Sequence, residues 1–379
     1  MTSLISRHGL TVNTQKVTAK EAYSLLKEPW CELHDKQQTK FFLSWQWIGQ
    51  WLLSLPSDIN VNTFVFERNN ELVGVAAVPE RYRKSIFWSV KQGHLNRTGD
   101  DTLDQIWIEN NKVLTSLSNP VDIAAFYELI MEEAHLDELM ISVMSGDDYI
   151  GATEFKLLNS MYNVELEYEE NGYYLPIKKG PHLQSKYSKS LKRQLKQTIK
   201  TGTELSWGFR FEEITEPQCI RDTLEEASCW HIGKWENSST PSGFTNPHFK
   251  EFHNNLIATS GSTSCRRRVR LFSLFNGDSL LGVLYGFQEG DWFGFYLSSI
   301  KPVADNRLRL GLYMHDMAIK RLSDSGVSVY DFMAGEARYK KQFGSMFMRY
   351  GKMKIQRKRL ALNAEKWLKR MKKLIDKKS

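Results

Sequence analysis

The sequence predicts a mixed α/β protein organised as two domains, and three observations carry that prediction. The 379 residues are too many for one ordinary compact core. Strand-like and helix-like patterns alternate along the chain. Two stretches, residues 62–81 and 269–288, repeat one scheme, their matching residues lying 208 positions apart. The apolar share of 41%, with 11 Trp, 15 Tyr and 20 Phe to fill cores, excludes global disorder.

NTFVFERNNELVGVAAVPER, residues 62–81, reads as two strands joined by a polar turn at Asn69-Asn70. VRLFSLFNGDSLLGVLYGFQ, residues 269–288, repeats it, with Asn276-Gly277 supplying the positive φ that two-residue hairpins favour. Setting Gly74 on Gly282 also sets Phe64 on Phe272, Leu72 on Leu280 and Val75 on Val283. Trp-containing helical stretches precede the hairpins, Phe41 to Leu55 and Cys219 to Trp235, and their aromatics are expected in cores. After the first hairpin come a helix, Val121 to Ala134, and a strand, Leu139 to Met144. After the second come the strand DWFGFYLSSI, a helix from Leu310 to Ser323 and a strand from Val327 to Met333. The segment 238–248, SSTPSGFTNPH, reads as an irregular surface loop, either bordering a site or acting as a spacer.

Charge is concentrated. Residues 178–200 carry eight Lys/Arg and no acid, and residues 349–379 carry thirteen against two, although the whole chain is only +7. Such density attracts phosphates on a nucleotide, a nucleic acid or an anionic lipid surface; a solvated helix face is the plainer alternative. In the last segment Leu360, Ala364, Trp367, Met371 and Leu374 recur at helical spacing, giving a basic amphipathic helix that would dock on the protein itself or touch a membrane. Cys31, Cys219, Cys229 and Cys265 form no CxxC pair, so neither a thiolate metal site nor a disulfide framework is expected. No signal peptide or membrane span is read, and a cytoplasmic location is the expectation.

The chemistry-bearing block is 291–344. A strand ending in Ser298-Ser299 leads through a loop with Lys301, Arg307 and Arg309 into a helix at Leu310-Gly311. Helix-terminal amides beside two arginines suit a diphosphate, although basic loops before helices are common. The strand VSVYDFM then delivers Asp331, followed by Glu336, Tyr339 and Lys340 on one helical face. A carboxylate beside a phenol could act as base and acid in amine acylation; capping and packing are the alternative roles. His315 is a rival base.

YDFMAGEARYKKQFG in this block resembles the signature of CelD-type acetyltransferases, a two-domain branch of the GNAT superfamily associated with exopolysaccharide biosynthesis and related to FemAB-type transferases. FLSWQWIGQW, LVGVAAV, SKSLKRQLK and LFSLFNGDSLLGVLYGF agree in order, so the resemblance spans residues 40–348. It implies two tandem GNAT-like domains: residues 1–170, non-catalytic; 171–200, an inter-domain basic helix; 201–354, binding acetyl-CoA or another acyl-CoA; and 355–379, the basic tail. It implies direct attack of an amine, such as a sugar amine, on the thioester, with no metal. Asp331, then Glu336, would take the proton and Tyr339 would protonate the leaving thiolate. Leu297 or Ser298 would hold the thioester oxygen, and Arg307, Arg309, Leu310, Gly311 and Lys340 would bind the cofactor. The reduced Arg307-Leu-Arg-Leu-Gly311 loop and the Ala334-Gly335-Glu336-Ala337 run depart from the family pattern. Two other readings compete: a FemAB-like transferase taking an aminoacyl group from tRNA, and a degenerate GNAT-fold binding protein.

Overall fold

The computed structural model describes residues 3–5, 9–37, 39–85, 88–145, 153–177, 183–260, 267–359 and 362. The chain runs through β1 (Ser3–Ile5), β2 (Leu10–Thr18), α1 (Ala19–Lys36), α2 (Trp45–Ser54), β3 (Asn60–Arg68), β4 (Glu71–Lys84), β5 (Ser89–His94), β6 (Leu114–Thr115), α3 (Pro120–Glu133), β7 (Glu138–Ser145), α4 (Thr153–Leu158) and β8 (Tyr162–Pro176). It continues through α5 (Lys189–Glu204), β9 (Phe209–Ile214), α6 (Pro217–Trp235), α7 (Pro247–Ser260), β10 (Arg267–Asn276), β11 (Ser279–Glu289), β12 (Trp292–Ile300), α8 (Leu310–Asp324), β13 (Val329–Ala334), α9 (Arg338–Gln342) and β14 (Met346–Arg357).

Two compact units result. Unit 1 comprises Met1–Gln38, Phe42–Glu169 and Tyr350–Ser379; unit 2 comprises Thr39–Phe41 and Glu170–Arg349. In unit 1 the strand order is β1-β2-β3-β4-β5-β7-β14-β8, with β6 beside β4. The β5–β7 pair is parallel, while β2–β3, β3–β4, β4–β5 and β7–β14 are antiparallel. In unit 2 the order is β8-β13-β12-β11-β10-β9. There β12–β13 is the parallel pair, and the other pairs are antiparallel. Each unit is thus a mixed, mostly antiparallel sheet flanked by helices, in the same sequence of elements.

The repeat extends to register. Phe66 pairs with Gly74 and a bulge falls at Phe66/Glu67; Leu274 pairs with Gly282 and a bulge falls at Leu274/Phe275. Both hairpins turn as their residues require: Asn69 and Asn70 sit at φ 52° and 63°, and Gly277 at φ 57°. Helix α1 starts on a capping box, with Glu21 N–H donating to Thr18 Oγ1 and Thr18 N–H to Glu21 Oε2. Of the aromatics expected in cores, Trp47 and Trp51 are buried, each such burial contributing about 3 kcal/mol, whereas Trp45 and Trp230 are half-buried and Trp235, at the end of α6, is exposed.

The boundaries differ from the expected ones in two places. The basic helix expected between domains is α5, whose Leu191 and Leu195 pack into the core of unit 2. Tyr350–Gln356, expected in the C-terminal domain and tail, pair with β7 of unit 1. The reason is that the β7 edge carries unpaired N–H and C=O groups that need a ladder partner. The expected tail helix beyond Arg359, Leu362 apart, and the Gly180-Pro181 break lie outside the described residues.

Candidate active site on unit 2

The parallel register of β12 and β13 runs Trp292↔Val329, Phe293↔Tyr330, Gly294↔Asp331 and stops there. Both strands continue, to Ile300 and Ala334, so the sheet splays directly past Asp331. Two irregularities mark the point. On β12 the partners of Tyr285 and Gly286 are Leu297 and Phe295, leaving Tyr296 as the extra residue of a bulge. On β13, Met333 takes φ 60°, and such features recur where a strand re-aims side chains.

Strand alternation divides the predicted residues between two faces. Tyr330 and Phe332 lie in the core beneath α8, against His315. Tyr339 is on that same face, its ring stacked on His315 at 5.2 Å. Asp331 therefore points the other way. Its carboxylate accepts hydrogen bonds from Trp292 Nε1 at 3.2 Å and Met333 N–H at 2.8 Å. Lys40 lies over Trp292, with Nζ 4.5 Å from the ring centroid. Burial, at 1% exposure, pushes the Asp331 carboxyl above its usual range, and Lys40, those two hydrogen bonds and Lys340 pull against it.

The structure thus does not assemble the expected carboxylate–phenol pair. Glu336 is exposed and accepts a hydrogen bond from Asn171. Burial raises the Tyr339 hydroxyl above its ordinary value. Lys340, expected to bind cofactor, is buried, and its ammonium donates to the carbonyls of Met333 at 3.1 Å and Ala334 at 2.7 Å. Arg307 is bound by Asp305 at 2.7 Å and Glu204 at 3.2 Å. His315 hydrogen-bonds Tyr330 at 2.8 Å, and burial lowers its pKa to about 3, which makes it a neutral packing group rather than a base.

The rest of the expected cofactor set lies along β12 and the start of α8. Leu297 and Ser298 follow the bulge, paired on one side with Tyr285 and Leu284. Arg309 is exposed at the N-cap of α8, where no side chain caps the helix; its own N–H donates to Thr198 Oγ1 at 3.0 Å. Leu310 is buried and Gly311 half-buried in the first turn, whose amides are the donors a diphosphate would need. A Cβ on Gly311 would meet only Ile300, at 3.8 Å, so space does not demand glycine there.

On the Asp331 face stands a cluster absent from the sequence prediction. His253, on α7, lies 3.2 Å from the Tyr285 hydroxyl through Nδ1 and 3.3 Å from the Tyr296 hydroxyl through Nε2. Phe249 and Phe287 wall it in, and Phe41 stacks on Phe287 at 4.8 Å. Burial lowers His253 to a pKa of about 3, so the ring is neutral. The 238–248 loop borders this wall: Phe244 packs edge-on against Phe249, and Ser242 hydrogen-bonds His231 at 2.7 Å.

Helix α5 presents Lys189, Lys192, Arg193, Lys196 and Lys200 along a shallow open groove, on the side opposite Leu191, Leu195 and Thr198. Among the described residues, no group of three or more His, Cys, Asp or Glu could hold a metal, and no helix is long and apolar enough to cross a membrane.

Residues 189–341 match the family described as Acetyltransferase (GNAT) domain. No curated protein matches the chain. Among solved structures it is similar to FemX, with TM-score 0.57 and 12% identity over 90% of this chain and 96% of that one. It is also similar to L-PGS from Bacillus licheniformis, with TM-score 0.51 and 8% identity over 89% and 94%. At those identities the likeness is one of fold. The family match supports the GNAT part of the expectation from sequence, and nothing in these findings supports the narrower CelD-type assignment. From α5 to α9, then, the chain carries a GNAT acetyltransferase domain, and the protein is an acyltransferase.

Proposed function

We propose that the protein is an acyl-CoA-dependent N-acyltransferase in which an amine attacks the thioester directly and Asp331 takes the amine proton. The observation that supports this most is the end of the β12–β13 ladder at Asp331, within a GNAT domain. A base acts best when its pKa lies near the working pH, and the burial that raises Asp331 moves it in that direction. The amides of Leu297 and Ser298 would hold the thioester oxygen, and the first turn of α8 with Arg309 would take the diphosphate. Arg307 and Lys340 drop out of the binding set because carboxylates and carbonyls already engage them. The acceptor class, a sugar amine on an exopolysaccharide precursor, rests on the CelD-like motif alone. Acetyl-CoA should raise the melting temperature in proportion to the logarithm of its excess. No shift with acetyl-CoA, longer acyl-CoAs or free CoA would sink the reading.

A FemAB-like reading, with an aminoacyl-tRNA as donor, is favoured by the five cations of α5, since a line of like charges suits a phosphate backbone better than a single cofactor. It predicts tRNA binding that weakens steeply with salt and is lost when Lys192, Arg193 and Lys196 are changed together to Glu.

A further inference from the structure

The outer face of α5 carries more than charge. Lys189, Arg193, Lys196 and Lys200 are exposed and Lys192 is half-buried. Lys200 stands 3.7 Å from Glu204, and Lys192 donates to Ser185 O at 3.2 Å. Among the described residues, no carboxylate lies within ion-pair reach of Lys189, Arg193 or Lys196. Ile199 follows Lys192 and Lys196 at helical spacing, so it shares their face, and it is 52% exposed. Leu205, just past the helix, is exposed too. At the other end, the turn into β14 rests on the start of α5. Ser188 N–H donates to Gln342 O at 2.8 Å, and the Tyr187 and Phe343 rings meet at 5.1 Å. Gly344 packs so closely that a Cβ on it would lie 2.5 Å from Lys186 O. Met346 and Phe347 leave that turn each 51% exposed, with the Arg349 guanidinium 5.9 Å from the Phe347 ring.

Basic groups alone would suit any polyanion; the apolar side chains beside them discriminate. Against RNA phosphates they would stay in water. At a bilayer they leave it, entering the boundary between headgroups and acyl chains while the lysine stems lie along the surface and their ammonium groups reach the phosphates. The groove along α5 is shallow, and its five cations are spread over roughly 16 Å of helix, which fits a plane better than a compact ligand. We propose that α5 and the turn at Met346-Phe347 form a docking surface for an anionic bilayer, the cations meeting lipid phosphates and Ile199, Leu205, Met346 and Phe347 entering the headgroup boundary. The docking is independent of the acyl-CoA reading. It competes with the tRNA reading for the same cations.

The full-length chain is sedimented with vesicles of phosphatidylcholine alone and of an equal mixture with phosphatidylglycerol. It should bind the mixture, release as salt rises, and ignore phosphatidylcholine alone. Lys189→Glu, Arg193→Glu and Lys196→Glu together should lower the partition coefficient about 10²-fold, whereas Lys189→Arg with Lys196→Arg should hold it near wild type. Ile199→Ser with Phe347→Ser, which keeps every charge, should lower it about 10-fold. Far-UV circular dichroism confirms that each variant is folded. Failure to bind the mixture overturns the proposal, as does a glutamate variant that binds like wild type, which would place the contact elsewhere on the chain. A serine variant as tight as wild type overturns it as well, leaving only a general attraction for polyanions. A chain that retains tRNA on a filter yet ignores both vesicles gives the cations to RNA and overturns it too.

Discussion

Units 1 and 2 share strand order, a parallel pair and hairpin bulges, yet they treat the splay at the end of that pair in opposite ways. In unit 1 the β5–β7 register ends at His94↔Met140, and the chain itself fills the opening. Leu95 N–H donates to Met140 O, Asn96 N–H to Ala77 O and Asn111 N–H to Val143 O. The fully buried Asn111 ties the plug together, donating to Leu95 O at 2.7 Å and accepting from Asn96 at 2.9 Å. In unit 2 no such main-chain bridge crosses β12 and β13 past Asp331 among the described residues, and titratable side chains stand around the opening. One fold closes this opening with backbone in unit 1 and borders it with side chains in unit 2.

The comparison can be broken most sharply at the two residues in matching register. Asp331→Asn should lower turnover about 10²-fold while far-UV circular dichroism and melting temperature hold. Met140→Leu, its counterpart in unit 1, should leave CoA release within about twofold, since a volume-conserving swap is well tolerated. Equal loss in both, or in neither, would end the division of labour. Next, Asn111→Ala should reduce unfolding free energy in urea by about 1–3 kcal/mol, because it strands buried polar groups, without altering the midpoint of acetyl-CoA binding.

A third test uses acid. Burial lowers His94 and His231 to about 4, and His253 and His315 to about 3. A histidine whose folded pKa lies below its unfolded value near 6.5 takes up protons first in the unfolded chain. Its stabilisation is therefore complete above about pH 6.5 and is lost as pH falls toward 4. Three of these four rings are in unit 2, so hydrogen exchange should show unit 2 opening at a higher pH than unit 1. Simultaneous opening would mean that the rings do not govern acid stability. The smallest effect is expected from Tyr339→Phe: a fall in turnover well short of that in Asp331→Asn, because its hydroxyl lies across the sheet from Asp331. A loss as large as that of Asp331→Asn would return Tyr339 to the acid role.

The legible parts of this protein were those with local causes. Asn69-Asn70 and Asn276-Gly277 announce positive-φ turns, and β12, α8 and β13 follow from apolar periodicity bounded by turn formers. Asp331 stands out as a candidate in the sequence because strand ends in α/β sheets host ligands. Its separation from Tyr339 was hidden, since the helical face that groups Glu336, Tyr339 and Lys340 says nothing of which sheet face the preceding strand gives Asp331. His253, Tyr296 and Lys40 come from α7, from a bulge and from a three-residue segment of the N-terminal half. Only long-range pairing brings them together, and no spacing rule encodes that. The same limit explains the misplaced tail strand, as an edge strand carries no mark of the edge it will join.

That exchange has a consequence for how the protein is made. Strand β7 emerges early, but its partner in β14 leaves the ribosome about two hundred residues later, so unit 1 must wait with a bare edge until that strand has been made. Cutting the gene at the boundary near Glu169 would not yield two miniature proteins: the first half would lack the ribbon that seals it, and the second would carry that ribbon with nothing to zip against.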